Sequence, residues 1–163
     1  MNSRTNRGAA RAALAWAACA AVGVAGASCG PKSGDFYAGW HRWKKMTAAP
    51  FLSEGHVAGK FLVDVYVNDV GAAAYAAKKG PYPVGTVIIK KHFHDEGGKP
   101  GHAALLTSME KKAPGYDSEN GDWEYAKASP DGKVELRGKE PICVTCHTTA
   151  DSDYVFARTE PSK

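Results

Sequence analysis

The chain is poor in sulfur, lacks acid near its start and has no long apolar run. It has 163 residues, enough for one domain and not comfortably two. It has four cysteines, too few and too scattered for a disulfide scaffold. Of three methionines, Met46 and Met109 lie away from the chain start. No aspartate or glutamate precedes Asp35. The most apolar stretch, Ala12 to Ser28, is too short and too rich in alanine for a membrane span. No internal repeat and no low-complexity segment follows it, which excludes repeat architectures. Hydrophobic content of 44% and charged content of 23% are ordinary for a soluble globular domain.

The missing acid and the short apolar run together predict an export signal over residues 1–28. Arg4, Arg7 and Arg11 give a positive start, and Ala25-Gly26-Ala27 fits a small-residue cleavage site. Gly26-Ala27-Ser28-Cys29 is similar to a bacterial lipobox, with Gly where Leu is usual, so simple cleavage and lipidation of Cys29 both stand. Cys19 leaves with the signal, and Cys29 would otherwise be a lone thiol in an oxidising compartment; a thioether to lipid accounts for it. Removing the signal takes three of 21 basic residues and none of 17 acidic ones, leaving +1. That balance gives no footing for a nucleic-acid partner. The expected location is the periplasmic side of a Gram-negative envelope.

Residues 29–34 read as a tether and 35–163 as a single domain. Phe36, Trp40 and Trp43 recur at helical spacing, predicting a helix from Asp35 to Ala48 with Asp35 as cap. Residues 49–60, with Pro50, Gly55 and Gly59, read as loop. Alternation predicts a strand at Phe61–Val67, and an alanine-rich helix follows at Val70–Lys79, stopped by Gly80 and Pro81. Further strands are predicted at Thr86–Phe93, Ala103–Met109, Trp123–Ala128 and Lys133–Arg137, the last two joined through Ser129-Pro130-Asp131-Gly132. The class is α+β: an antiparallel sheet of about five strands with two or three helices.

Near the chain end, Cys143-Val144-Thr145-Cys146-His147 is a C-x-x-C-H pattern. On one helical turn, residues three and four apart share a face, so both thiols can reach the two vinyl groups of a haem. His147, next to the second thiol, is then carried under the ring where its imidazole can bind iron. A zinc site would need a second pair of ligands, and no other Cys pair completes it. A redox dithiol belongs between a strand and a helix early in a fold. The motif therefore predicts one haem c, bonded to Cys143 and Cys146, on a C-terminal helix. Four-helix cytochromes also carry this motif late, but period-two alternation excludes a helical bundle here.

The ordered set of segments resembles the cytochrome P-460 family, whose relatives include the cytochromes c′-beta. The set is Val65-Tyr66-Val67-Asn68 before an alanine-rich helix, Tyr82-Pro83-Val84-Gly85-Thr86-Val87-Ile88-Ile89-Lys90, Asn120-Gly121-Asp122-Trp123-Glu124-Tyr125, the haem motif, and Asp153-Tyr154-Val155-Phe156. The resemblance runs from about Trp40 to Arg158. It implies an antiparallel β protein, usually a homodimer, with a five-coordinate haem. In the P-460 branch it implies oxidation of hydroxylamine, nitric oxide in the chemistry, and a lysine nitrogen bonded to a porphyrin meso carbon. In the c′-beta branch it implies an apolar distal pocket that binds nitric oxide, without that bond.

Lys90 matches the family's lysine, at the end of Gly85-Thr86-Val87-Ile88-Ile89-Lys90. Strand periodicity permits the role, because Thr86, Ile88, Lys90 and His92 share one face. Glu110 is the best match for the carboxylate that the P-460 branch places over the iron as proton acceptor. If Glu110 points outward instead, Met109 or Leu105 faces the iron and the pocket is apolar. Of His41, His56, His92, His94 and His102, only His92 lies on the Lys90 face as a possible second axial ligand. The cluster His92, His94, Asp95 and His102 reads as a solvated loop. Met46 or Met109 as sixth ligand would instead make an electron carrier. The resemblance thus favours a hydroxylamine-oxidising enzyme with a periplasmic redox partner. A nitric-oxide-binding cytochrome and a simple electron carrier are the alternatives.

Overall fold

The computed structural model describes residues 36–53, 55–56 and 61–159. The expected export signal, the tether, Cys29 and the capping role of Asp35 lie outside the described residues. Among the described residues no helix is long and apolar enough to cross a membrane.

Seven antiparallel strands form one sheet: β1 (Lys44–Lys45), β2 (Phe51–Ser53), β3 (Phe61–Val67), β4 (Val87–Asp95), β5 (Pro100–Lys111), β6 (Trp123–Ala128) and β7 (Val134–Gly138). Their order is β1-β3-β4-β5-β6-β7, with β2 also pairing β3. Among the described residues two α-helices accompany the sheet, α1 (Asp69–Ala77) and α2 (Pro141–His147). The α+β class and the antiparallel sheet hold, and the sheet is larger than expected by β1 and β2.

The helix expected over Asp35–Ala48 does not form. A 3-10 turn at Trp40–Arg42 and strand β1 take its place. Gly39, with φ of +72°, turns the chain left-handed where a helix would have to continue. The aromatic residues instead cover one face of the sheet. Phe36 and Tyr37 are buried with Val87, Ile89, Leu106, Ala126 and Ala128, and Trp40 meets Tyr66 edge-on at 5.0 Å. Residues 49–60 are likewise not all loop, since Phe51↔Val63 pairing makes β2.

The other elements form where the sequence placed them, within a few residues. Asn68 caps α1 through its side-chain oxygen, which accepts from the Gly71 N–H at 3.2 Å and also from the Val87 N–H at 3.0 Å. One side chain thus fixes both the helix start and the β4 entry. Lys78, left-handed at φ 54°, ends the helix.

The opposite face of the sheet carries the second core, from Val63, Val65, Val67, Ile88, Met109, Trp123 and Tyr125, with Tyr75 of α1 and Val155 of the tail packed on it. Register lines up two rows across this face. One runs Val65, Lys90, Thr107, Lys127, Leu136; the other runs Val67, Ile88, Met109, Tyr125, Gly138. The β7 strand leads through Gly138 into α2, and Cys143 and Val144 of α2 pack against this core.

Candidate haem-attachment site

Helix α2 is a single short helix entered through Pro141, whose fixed φ suits the first helical position. Its free thiols differ in exposure: Cys143 is half-buried and Cys146 is exposed. Burial pushes the Cys143 thiol above its usual range, with Glu140 adding to the effect. His147, one residue after Cys146, is buried at 7% exposure.

The His147 ring is oriented by the chain's own tail. Its Nδ1 lies 2.7 Å from the Tyr154 carbonyl oxygen, which can only accept, so Nδ1 carries the proton. The Nε2 lone pair is left for a metal. Burial lowers the His147 pKa to about 4, against the opposing pull of that hydrogen bond. The imidazole is therefore neutral at neutral pH, the form in which it ligates.

A cavity of about 320 Å³ opens beside α2, and Lys90, Thr107, Met109, Tyr125, Cys143 and His147 are among its walls. A second cavity of about 460 Å³ adjoins it and shares Gly55, His56, Lys90, Cys146 and His147. Lys90 is half-buried on β4 and stands at the junction of the two. Desolvation lowers its amine to about 8, with Arg158 lowering it further and Cys146 acting the other way. Among the described residues it has no carboxylate partner.

The structure brings Lys90, Cys143, Cys146 and His147 together. It does not bring Glu110 to them. Glu110 follows Met109 on β5, and successive strand residues face opposite ways. Met109 lies in the cavity wall; Glu110 lies across the sheet, accepting from Tyr37 Oη at 2.8 Å and Lys112 Nζ at 3.1 Å. The expectation of Glu110 as the base over the iron is corrected accordingly.

Among the other candidates, His92 is fully buried on the Lys90 face, and its Nε2 lies 3.0 Å from Thr107 Oγ1. That nitrogen is already engaged. His41, His94 and His102 are exposed. No group of three or more His, Cys, Asp or Glu side chains among the described residues is placed to hold a metal ion by itself. Met46 is buried in the core and Met109 lines the first cavity.

Two wall residues, Thr107 and Tyr125, escape the sequence reading, and a third, His56, enters it only to be set aside as an axial ligand. His56 lines both cavities, its ring 4.9 Å from that of His92 and 6.4 Å from that of His147. It lies in an irregular segment with no periodicity to mark it. Thr107 is signalled only by its pairing with Lys90. Tyr125 stands within a quoted segment, but its place in the wall needs the β5–β6 register.

The residues present fit a haem. Two free thiols three residues apart flank a cavity, and a neutral imidazole offers Nε2 to it. The wall is largely apolar, yet the buried Tyr125 Oη has no hydrogen-bond partner among the described residues, as a group awaiting a polar neighbour in the cavity would. Cys143, Cys146 and His147 would hold the group.

The family model for cytochrome P460 matches residues 37–157, which spans the sheet, both cavities and α2. Among curated proteins none matches the chain. A late haem motif, an antiparallel sheet with a lysine facing the motif's cavity, and a match over most of the sequence agree: the chain belongs to the cytochrome P460 family and is a mono-haem c-type cytochrome.

Proposed function

We propose that this cytochrome acts on small nitrogen compounds, oxidising hydroxylamine and passing the electrons to a periplasmic acceptor. The observation that carries the reading is Lys90, whose amine faces the cavity of the haem motif and is held near a pKa of about 8. A lysine that has no carboxylate partner among the described residues of such a wall is costly unless it does something there. Its neutral fraction, a minority at neutral pH, is a nucleophile suited to the nitrogen–porphyrin bond of the P-460 branch, whose formation in place of a meso C–H needs a two-electron oxidant.

Haem, when bound, supplies an iron that takes small nitrogen ligands and passes on electrons. The chain does the rest. Cys143 and Cys146 would tether the group by thioethers, and His147 Nε2 would ligate the metal. Ile88, Met109 and Tyr125 give the first cavity a largely apolar lining. Oxidation releases protons, and the Thr107 hydroxyl, 3.0 Å from His92 Nε2, can relay one by taking it up as it passes its own to that nitrogen. The proposal includes export by residues 1–28 to the periplasmic side of a Gram-negative envelope, a lipid anchor at Cys29, and a homodimer.

A second reading, nitric-oxide binding without turnover, is favoured by the place of Glu110 on the far face, which leaves the cavity wall without a carboxylate among the described residues.

The optical spectrum of the reduced protein separates the two. Hydroxylamine oxidation with a Lys90 link predicts strongly red-shifted ferrous bands, which Lys90→Leu returns to those of an ordinary c-type haem while turnover is lost. If the native spectrum is already ordinary and Lys90→Leu alters neither bands nor turnover, the binding reading replaces the enzymatic one.

A further inference from the structure

We infer that Asp153 is a positioning residue for the His147 imidazole, and that Lys111 holds Asp153 in that role. The inference rests on the reading of His147 as the iron ligand.

The carbonyl that orients His147 belongs to Tyr154, and Tyr154 stands in an unusual backbone. Asp153 and Tyr154 are both left-handed, at φ 48° and 64°. Two consecutive side-chain-bearing residues take that conformation only where the surroundings impose it. The surroundings here are specific. The Asp153 carboxylate accepts from Lys111 Nζ at 2.6 and 2.8 Å, and its Oδ2 accepts from the Tyr82 N–H at 2.7 Å. Both side chains of the ion pair are only 13% exposed, so water competes little for it. The Asp153 carbonyl accepts from Trp123 Nε1 at 3.0 Å, and Lys111 Nζ lies 5.0 Å from the centre of the Trp123 ring. Ser152 Oγ accepts from the Gly80 N–H at 2.7 Å.

Two glycines make room for this turn. A Cβ on Gly80 would collide with the Asp153 side chain, and one on Gly121 with the Tyr154 ring. The turn is thus pinned to β5 through Lys111, to β6 through Trp123, and to the α1–β4 connection through Gly80 and Tyr82. A surface turn needs none of this. What it secures is one carbonyl oxygen, 2.7 Å from His147 Nδ1.

A hydrogen bond from Nδ1–H to a carbonyl raises imidazole basicity and fixes ring orientation, and so tunes the metal on the other nitrogen. Loosening Asp153 lets the Tyr154 carbonyl drift and weakens that bond. The weaker donor Nε2 then favours the ferric form less, and the midpoint potential rises.

The test uses purified haem protein and two readouts besides activity: the iron–histidine stretching band of the ferrous form by resonance Raman, and the midpoint potential. In Asp153→Asn and Lys111→Met the band shifts to lower frequency and the potential rises. In Lys112→Met, whose lysine pairs with Glu110 and Glu124 across the sheet, neither moves. Should Asp153→Asn fail to accumulate, Lys111→Met decides alone, because its side chain keeps an apolar stem beside Trp123. Native values of both readouts in Lys111→Met overturn the inference while the haem reading stands. A pyridine haemochrome assay of the native protein that finds no haem on Cys143 and Cys146 overturns both.

Discussion

Lys90 of β4 pairs directly with Thr107 of β5, and both side chains line the cavity beside the haem motif. Thr107 in turn meets His92 Nε2 at 3.0 Å. The proposed proton route therefore enters the chain at a hydroxyl. Thr107→Val keeps the shape and removes that hydroxyl. Hydroxylamine turnover should fall by about 10²-fold, the usual scale for a lost proton-transfer group. Nitric-oxide affinity should change little, because ligand binding alone moves no proton. Steady-state turnover beside a nitric-oxide titration checks this, and unchanged turnover excludes Thr107 from the route.

Glu110 gives the opposite pattern. Its carboxylate accepts from Tyr37 Oη and pairs with Lys112, both on the face away from the cavity. Glu110→Gln should leave turnover and the ferrous spectrum unchanged. Stability should fall by about 1 kcal/mol, the scale of one weakened charge-assisted hydrogen bond in a partly exposed setting. Urea unfolding followed by tryptophan fluorescence measures the loss. A large drop in turnover at native stability would return Glu110 to the catalytic machinery.

The legible parts of this protein are those with local cause. Phe61–Val67 and Trp123–Ala128 alternate with period two, and the structure has strands with these bounds. The same alternation puts Lys90 beside Ile88 on one face. Glu110 is placed on the other face by its bond to Tyr37, 73 residues away, which no local pattern announces. The stripe Phe36, Trp40, Trp43 has helical spacing, but covering a sheet requires the same residues, and Gly39 breaks the helix. Three-residue β2 is too short to show a period. The contacts joining His92 to Thr107 and Lys111 to Asp153 span 15 and 42 residues, and only the folded sheet brings them together.

Gly121 carries a stability prediction. It is left-handed at φ 71°, and a Cβ there would run into the Tyr154 ring. Gly121→Ala should therefore cost about 2–3 kcal/mol, from backbone strain and overpacking together. Thermal unfolding should show a lower midpoint. An Ala at Gly97, also left-handed but with open space around it, should cost only the backbone share, about 1 kcal/mol. Equal losses at both sites would mean that the Tyr154 ring yields freely.

His92 makes the fold sensitive to acid. Its side chain is fully buried, and burial first, then Lys90, lowers its pKa from 6.5 to about 3. The unfolded chain takes up a proton on this ring as pH falls through 6.5, whereas the folded chain resists until about 3. Over that window the unfolded state binds more protons, so stability rises with pH and is lost as pH falls. His92→Gln removes the titration and keeps a group able to bond Thr107. The variant's stability should fall less steeply between pH 6 and 4, by up to about 1.4 kcal/mol per pH unit, the limit for one proton. His56, lowered to about 2 by burial and by Lys90, His92 and His147, contributes a slope of the same sign that the substitution reduces only in part. Urea unfolding of both proteins at a series of pH values gives the two slopes. Parallel slopes would mean that His92 is already charged in the native state, and the neutral donor–acceptor role given to it beside Thr107 would then be wrong.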